Sequence, residues 1–331
     1  MAITLAEAKV GMADKVDQMV IDEFRRDSFL LNKLTFDDTV SPGTGGSTMT
    51  YGYVQLQTPA TAARRSINAE YTAQEAKRVK KTADLDIFGG SFQIDRVIQN
   101  TSGAINEVEF QLKEKVKAAS NLFHYTVING NSAQSTPAGY IKANFDGIRK
   151  LVDGKSTAVT VNIDLKSAAD AKTNADTFLL ALYEWLGLFA EKPDMLLMNS
   201  QMLAKVKYIA RIAGYYSREE NAFGQTVEKF DNIVLMDAGK YYNGTNEVDC
   251  VATDATTGKT GIAGVKFGLN AFHGISPKES SAIIKTYLPD FNQPGAVKTG
   301  EAELVAGVVL KNSKMAGYLD GIQVQAAASG D

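Results

Sequence analysis

The chain has 331 residues, 44% hydrophobic and 22% charged, enough apolar material for one large domain or two modest ones and too much for wholesale disorder. Its formal net charge is −3, whereas a dedicated DNA reader carries a basic excess, so sequence-specific nucleic-acid readout is not expected. The single cysteine, Cys250, rules out an intrachain disulfide and fits a reducing compartment such as bacterial cytoplasm; Met1 to Val10 does not read as a signal peptide, and no apolar run approaches the ~20 residues of a membrane span.

The first predicted element is a helix. Thr4 and Glu7 stand at capping-box spacing, and Leu5, Ala8, Met12, Val16, Met19 and Phe24 then form an apolar stripe. A short apolar group follows at Phe29, Leu30, Leu31, Leu34 and Phe36, and Ser41 to Ser47 is a turn-rich break. Thr48 to Gln57 has the β-branched and aromatic content of a strand but no clean apolar face. Thr58 to Ala76 is polar and small. Lys80 to Ile87 alternates, with Ala83, Leu85 and Ile87 set against Asp84 and Asp86. Two strands with a long polar tip predict an extended hairpin arm, which is marginal alone and must lean on something, such as another subunit.

Ser102 to Asn129 carries the best helical pattern: Ile105, Val108, Leu112, Val116, Ala119, Leu122 and Thr126 keep a 3.6-residue step. Beyond it, strands and helices alternate. Phe145 to Val152 predicts a short helix. Thr173 to Glu191 predicts an amphipathic one built on Phe178, Leu182, Trp185 and Phe189 and ended by Pro193. Met195 to Met198 reads as a buried strand, and Ser200 to Arg211 as a helix capped by Asn199 or Ser200. Further strands are expected at Ile233–Met236, Val248–Ala252, Gly264–Phe267, Ala282–Tyr287, Glu301–Leu310 and Ile322–Gln325.

Motifs that carry chemistry fare poorly against plainer readings. Gly258-Lys259-Thr260 resembles part of a phosphate-binding loop, but Thr253 stands where the first glycine belongs and a strand-like segment follows; a hairpin turn is the plainer reading. A Cys–His hydrolase would need Cys250 with His124 or His273. A packed cysteine and two ordinary histidines are the plainer account. One cysteine and two histidines do not make a standard structural zinc site, so neither metal nor cofactor is expected. Asp84/Asp86 and Glu301/Glu303 stand two apart, which on a strand describes a solvated face.

The run Arg64, Arg65, Lys77, Arg78, Lys80, Lys81 is more informative. Six bases stand there against only Glu70 and Glu75. Either this is a solvated arm or it contacts a neighbouring subunit, for which Glu107, Glu109 and Glu114 on the long helix are candidate partners.

The order of elements resembles the capsid fold of tailed bacteriophages (Johnson fold, Hong Kong ninety-seven type). Tyr51-Gly-Tyr53 and the Arg64/Arg65 to Asn68 region fall where that family has its E-loop hairpin. Asn106 to Asn129 is similar to its spine helix, and Phe145 to Leu151 to the passage from spine to axial domain. Pro193 to Asn199 plus the following helix resembles its central strand–helix step. Gly264 to Gly268, Glu301 to Val309 and Ala316 to Leu319 resemble its closing strands. The resemblance implies an α+β protein with an N-terminal arm (1–40), an extended hairpin (41–90), a peripheral domain (91–144 with 280–331) and an axial domain (145–279). It implies a non-enzymatic major capsid protein. Such a protein self-assembles as hexamers and pentamers into an icosahedral head shell around double-stranded DNA, without reading its sequence. A portal protein is implied, and a decoration protein is admitted. Lys77, Lys80 and Lys81 are by location alone candidates for the Lys–Asn cross-links of some members. Because the arm helix begins at Thr4, with no charged coiled-coil segment before it, an uncleaved N-terminus and a separate scaffolding protein are expected. Two alternatives stay open: an encapsulin-like nanocompartment shell, and a cytoplasmic α/β enzyme using Lys259 or Cys250.

Overall fold

Two β-sheets and one long helix form the frame, and apolar patterning accounts for most of it. The computed structural model describes residue 30 and residues 33–37, 49–58, 60–101, 107–133, 139–214, 216–220, 226–277 and 284–327. The helix expected from Thr4 to Phe24 lies outside them, as does the break from Ser41 to Ser47.

Leu30 and Leu34, from the short apolar group, are buried in the main core. Strand β1 (Phe36–Asp37) follows. Strands β2 (Thr50–Thr58) and β3 (Lys77–Asp84) pair antiparallel as the expected hairpin, Thr50 opposite Asp84. The hairpin root is not coreless, as its sequence suggested: Tyr51, Tyr53 and Leu85 pack with Ile275 and Val309. Strand β4 (Asp86–Asp95) continues from it. Ile87, expected inward with Ala83 and Leu85, is 60% exposed, whereas Leu85 is 2% exposed and Phe88 is buried. The chain changes sheets at Leu85. Odd residues face the hairpin root before it, and even residues face the main core after it.

Helix α1 (Arg96–Thr101) starts where the Asp95 carboxylate accepts from the Val97 N–H at 2.8 Å. The long helix, α2 (Glu107–Asn129), has 23 residues, about 34 Å of rise. Val108 and Leu112 lean on Phe92, Ile94 and Ile98. From Ala119 onward nearly every residue is buried, the condition of a helix inside a core rather than on its surface. Strands β5 (Gly130–Asn131) and β6 (Ile141–Lys142) and the single-turn α3 (Ile148–Leu151) follow.

Strand β7 (Ala158–Asp164) was not anticipated. The helix expected over Thr173–Glu191 is instead two, α4 (Ala168–Thr173) and α5 (Ala175–Leu186). Asn174 interrupts them, its side-chain amide donating to the Asp164 carbonyl at 2.8 Å. α5 stops at Gly187, well before Pro193, and Phe189 folds back edge-on to Trp185, ring centroids 5.1 Å apart. Strand β8 (Met195–Met198) and helix α6 (Ser200–Ile212) match expectation, with Asn199 Oδ1 accepting from the Met202 N–H at 2.8 Å. Strands β9 (Tyr216–Glu220), β10 (Thr226–Phe230), β11 (Ile233–Asp237), β12 (Lys240–Tyr242) and β13 (Glu247–Asp249) come next. β13 ends before Cys250, whose N–H turns away to the Gly239 carbonyl at 2.9 Å, so Val248–Ala252 is not one strand. The last five are β14 (Lys259–Val265), β15 (Phe272–Ile275), β16 (Ile284–Tyr287), β17 (Val297–Leu310) and β18 (Ala316–Gln323).

Seven strands form one sheet in the order β7-β18-β14-β8-β11-β10-β9. Its β8 faces two cores. Leu196 and Met198 point into the cluster of α4, α5 and α6, while Met195 and Leu197 point into the cluster containing Phe123 of α2. Burial on both faces accounts for the unbroken apolar run there. Gly264 lets Trp185 lie against the sheet, since a Cβ there would stand 2.8 Å from the indole ring.

The other sheet is organised by β17, which has 14 residues. β4 pairs along Val297–Ala306, β16 along Glu301–Leu304, and β15 along Gly307–Leu310, with β1 parallel to β15. Leu304, Ala306, Val308 and Leu310 face the core shared with α2, where Phe88 meets Phe123 edge-on at 5.5 Å. The opposite face of β4, β17 and β16 carries Ile87, Ser91, Gln93, Glu301, Glu303, Lys285 and Tyr287.

Candidate assembly surfaces

The arm is built as a two-stranded ribbon that outruns its support. Its root is held: the Tyr51 hydroxyl donates to Asp37 Oδ2 at 2.8 Å, and the Leu85 N–H to the Met49 carbonyl at 2.8 Å. Beyond Tyr53 the ribbon opens to solvent. Val54 and Tyr71 are exposed, and Ile67 near the tip is 91% exposed. An apolar side chain held that far into water contributes nothing to its own subunit's core.

The six arm bases all lie on this ribbon. Arg64, Arg65, Lys77, Arg78 and Lys80 are exposed, and Lys81 is half-buried beside the root. Arg65 donates to the Ala69 carbonyl at 3.3 Å and lies 5.5 Å from the Tyr71 ring centroid. Burial, then repulsion from Lys155, lowers the Lys81 pKa against the pull of Asp146. Among the described residues none of the six makes an ion pair, so the structure does not bring them to Glu107, Glu109 or Glu114 within one chain.

Those three carboxylates are each engaged or buried within their own chain. Glu109 pairs with Lys113 at 2.5 Å, and that contact holds its pKa below the usual carboxylate value. Glu114 pairs with Lys117 at 3.5 Å. Glu107 is buried, and desolvation raises its pKa. Two further carboxylates, whose spacing describes a solvated face, lie on the sheet centred on β17. Glu301 and Glu303 stand on the open face of β17, flanked by Ser91 and Tyr287 and by Gly89 and Lys285 respectively, and make no ion pair among the described residues. Their strand spacing of two was the signal available in the sequence.

The chemical candidates occupy structural positions. Lys259 opens β14, its ammonium donating to Asn162 Oδ1 at 2.9 Å. The preceding turn is closed by Asp254, whose carboxylate accepts from Thr256 and Thr257 N–H groups. β14 pairs with β18 and β8, so the expected hairpin turn is a turn into a sheet. Cys250 is fully buried, its carbonyl accepting from the Asn129 side chain at 2.7 Å. His124 is buried on α2 and desolvation pushes its pKa down to about 4. Among the described residues no three His, Cys, Asp or Glu side chains group to hold a metal, and no helix is long and apolar enough to cross a membrane. Replacing Cys250 with alanine removes one buried sulfur, for which a loss of ~1 kcal/mol is expected. Particle assembly and shape should be unchanged by electron microscopy.

The overall fold is similar to that of known shell proteins. The chain superposes on the holo-SrpI encapsulin complex from Synechococcus elongatus PCC 7942 with a TM-score of 0.62 at 13% identity, over 100% of both chains. It superposes on the capsid of Myoviridae Phage XM1 with a TM-score of 0.59 at 12% identity, over 97% of this chain and 99% of that one. For Gordonia phage Cozz the TM-score is 0.55 at 12% identity, over 98% and 96%. The fold is thus the α+β capsid fold found in phage heads and encapsulins. No curated protein matches the sequence significantly. The family model of the SU10 major capsid protein matches residues 16–236, more than half of the chain, and the protein belongs to that family. It is a major capsid protein, a structural component of a phage head shell.

Proposed function

We propose that this chain closes an icosahedral shell of hexamers and pentamers in the bacterial cytoplasm, and that the basic arm of each subunit docks on the open β4/β17/β16 face of a neighbour. One observation supports the docking: among the described residues the six arm cations make no ion pair, and neither do Glu301 and Glu303 on the β4/β17/β16 face. Glu107, Glu109 and Glu114 remain secondary acceptors, two of them already engaged by lysines of α2. In this reading the shell encloses double-stranded DNA through its backbone charge without sequence readout, opens at a portal protein, is guided by a separate scaffolding protein, admits a decoration protein outside, and performs no catalysis. The arm, the β17-centred layer and the seven-stranded layer take the roles of hairpin, peripheral and axial domains.

Each exposed pair contributes only ~0.2–1 kcal/mol, but the contact recurs at every subunit. Reversing Arg64 and Arg65 to glutamate is expected to cut the yield of closed particles severalfold, and adding Glu301→Lys with Glu303→Lys to restore it. Electron microscopy and light scattering would read the yield. Wild-type yield from the arm double mutant, or no recovery in the quadruple mutant, counts against the contact. A monodisperse monomer at all physiological salt concentrations would defeat the shell reading itself.

The superposition on an encapsulin supports a second reading, a nanocompartment filled with protein cargo. Purified particles distinguish the two: nuclease-protected DNA supports the head shell, and a co-purifying enzyme with no DNA supports the compartment.

A further inference from the structure

Beneath the arm root sits a fully buried histidine with poorly satisfied ring nitrogens. His273, on β15 opposite Val309, is 0% exposed, and among the described residues neither ring nitrogen makes a well-formed hydrogen bond, although the Ala271 carbonyl and the Asp37 carboxylate both favour the charged ring. A neutral imidazole presents one donor and one acceptor, and burying both unsatisfied is unfavourable. Packing alone would be served better by phenylalanine. The ring is roofed by the hairpin: Tyr51 meets it edge-on at 6.0 Å and an interplanar angle of 78°, and Tyr53 stacks on Tyr51 at 6.2 Å.

We propose that His273 is an acid-responsive latch for the arm, protonation of its ring releasing the β2–β3 root from the sheet. The titratable and charged groups around it come from each neighbouring element. Asp37 stands on β1, Tyr51 and Tyr53 on β2, and Lys311 just past β17. The Asp37 carboxylate already accepts from the Tyr51 hydroxyl. The Lys311 ammonium lies 5.7 Å from the Tyr51 ring centroid and opposes a second cation below it. An imidazolium would need two acceptors or water. On its own sheet His273 is bounded by continuous pairing, whereas above it lies a ribbon whose distal part is in solvent. Lifting Tyr51 is therefore the least disruptive way to hydrate the charge.

Burial, with Lys311 adding to it, pushes the His273 pKa down to about 4 from the ordinary 6.5. A released root restores the ordinary value, so the released state binds more protons between these two pH values. The closed root is fully favoured above the ordinary value, weakens as pH falls below it, and weakens no further under the depressed one. From pH 7 to pH 5 the released fraction should grow about 20-fold.

Hydrogen exchange of the full-length protein at pH 7.5 and pH 5, corrected for intrinsic rates, reads this directly in peptides covering β2 and β3. Protection there should fall about 25-fold beyond the correction and should not fall in His273→Phe. Equal protection at both pH values overturns the latch, as does an unchanged acid response in His273→Phe. A response that survives in His273→Phe but vanishes in His124→Leu would place the sensor on α2 and equally overturn it. Should His273→Phe not fold, Lys311→Gln is the second arm: removing that cation should lift the depressed pKa toward the ordinary one, so the acid-driven loss of protection should be smaller and level off at a higher pH, and a loss unchanged in size and range refutes the proposal. His273→Phe leaves the arm bases and the β17 carboxylates in place, so the latch and the shell reading stand or fall separately.

Discussion

Replacing Gly321 with alanine is expected to leave no folded protein. Gly321 lies in β18 at φ +88°, a backbone region in which an L side chain costs roughly 1–2 kcal/mol. Strain is the smaller part. A Cβ there would stand 1.9 Å from the Val161 carbonyl oxygen of β7, which is backbone and cannot step aside. The residue also shifts register: the ladder slips between Asp320 and Ile322 against β7. That slip lets Leu319 and Ile322, three apart, both enter the core under α5 and α6, where simple alternation would send them to opposite faces. Alanine would have to push β7 away or undo the bulge and expel one of the two. Either costs more than about 4 kcal/mol, the range in which single substitutions unfold domains. The check is soluble yield and circular dichroism after expression. Folded protein with the parent's melting temperature would contradict the register described.

The second large effect is expected at Asn199. It is 1% exposed and joins three segments. Its Oδ1 caps α6 through the Met202 N–H, while its Nδ2 lies 3.0 Å from the Val251 carbonyl, 2.9 Å from the Thr253 hydroxyl and 3.0 Å from the Thr260 hydroxyl. Leucine is nearly isosteric but answers none of them. Losing the cap costs about 1 kcal/mol, and each buried acceptor left unmet about 1–3 kcal/mol. Thr260 also donates to the Ala252 carbonyl at 3.1 Å and so stays satisfied, which with two acceptors unmet sets the expected loss near 3–7 kcal/mol. Aspartate separates the contributions. It keeps the cap but turns an acceptor toward the Val251 carbonyl, so it should lose nearly as much at neutral pH. Burial raises the pKa of such a carboxyl, and the folded state then takes up a proton before the unfolded one does, so stability should recover on acidification. Urea midpoints at pH 7 and pH 5 test both variants.

What could be read from the residues alone was what residues determine locally. The cap at Asn199, the doubly buried run Met195–Met198 and the long stripe ending at Asn129 carry their signals within a few positions. β15 carries none: its four residues include a histidine and a glycine, and it is a strand because β17 and β1 lie beside it. β7 has Val159, Val161 and Ile163 in alternation, but its partner β18 is remote in sequence. Ile87 was misplaced because the alternation through Leu85 continues smoothly while the sheet beneath it changes. For the surfaces, the cluster of arm bases was plain. The pairing of Glu109 with Lys113 was passed over, although they stand at the spacing that pairs side chains along a helix.

The three partners of β17 also give it a mechanical character. A strand pulled along its own axis loads its cross-strand hydrogen bonds in shear, so they resist as a group; a strand peeled from its end loses them singly. β4 runs antiparallel beside ten residues of β17 and carries the arm root at its start, so a pull on the arm reaches β17 lengthwise. A load carried by the arm would therefore meet this subunit along a line of shared hydrogen bonds, as a tie-rod and not as a zip.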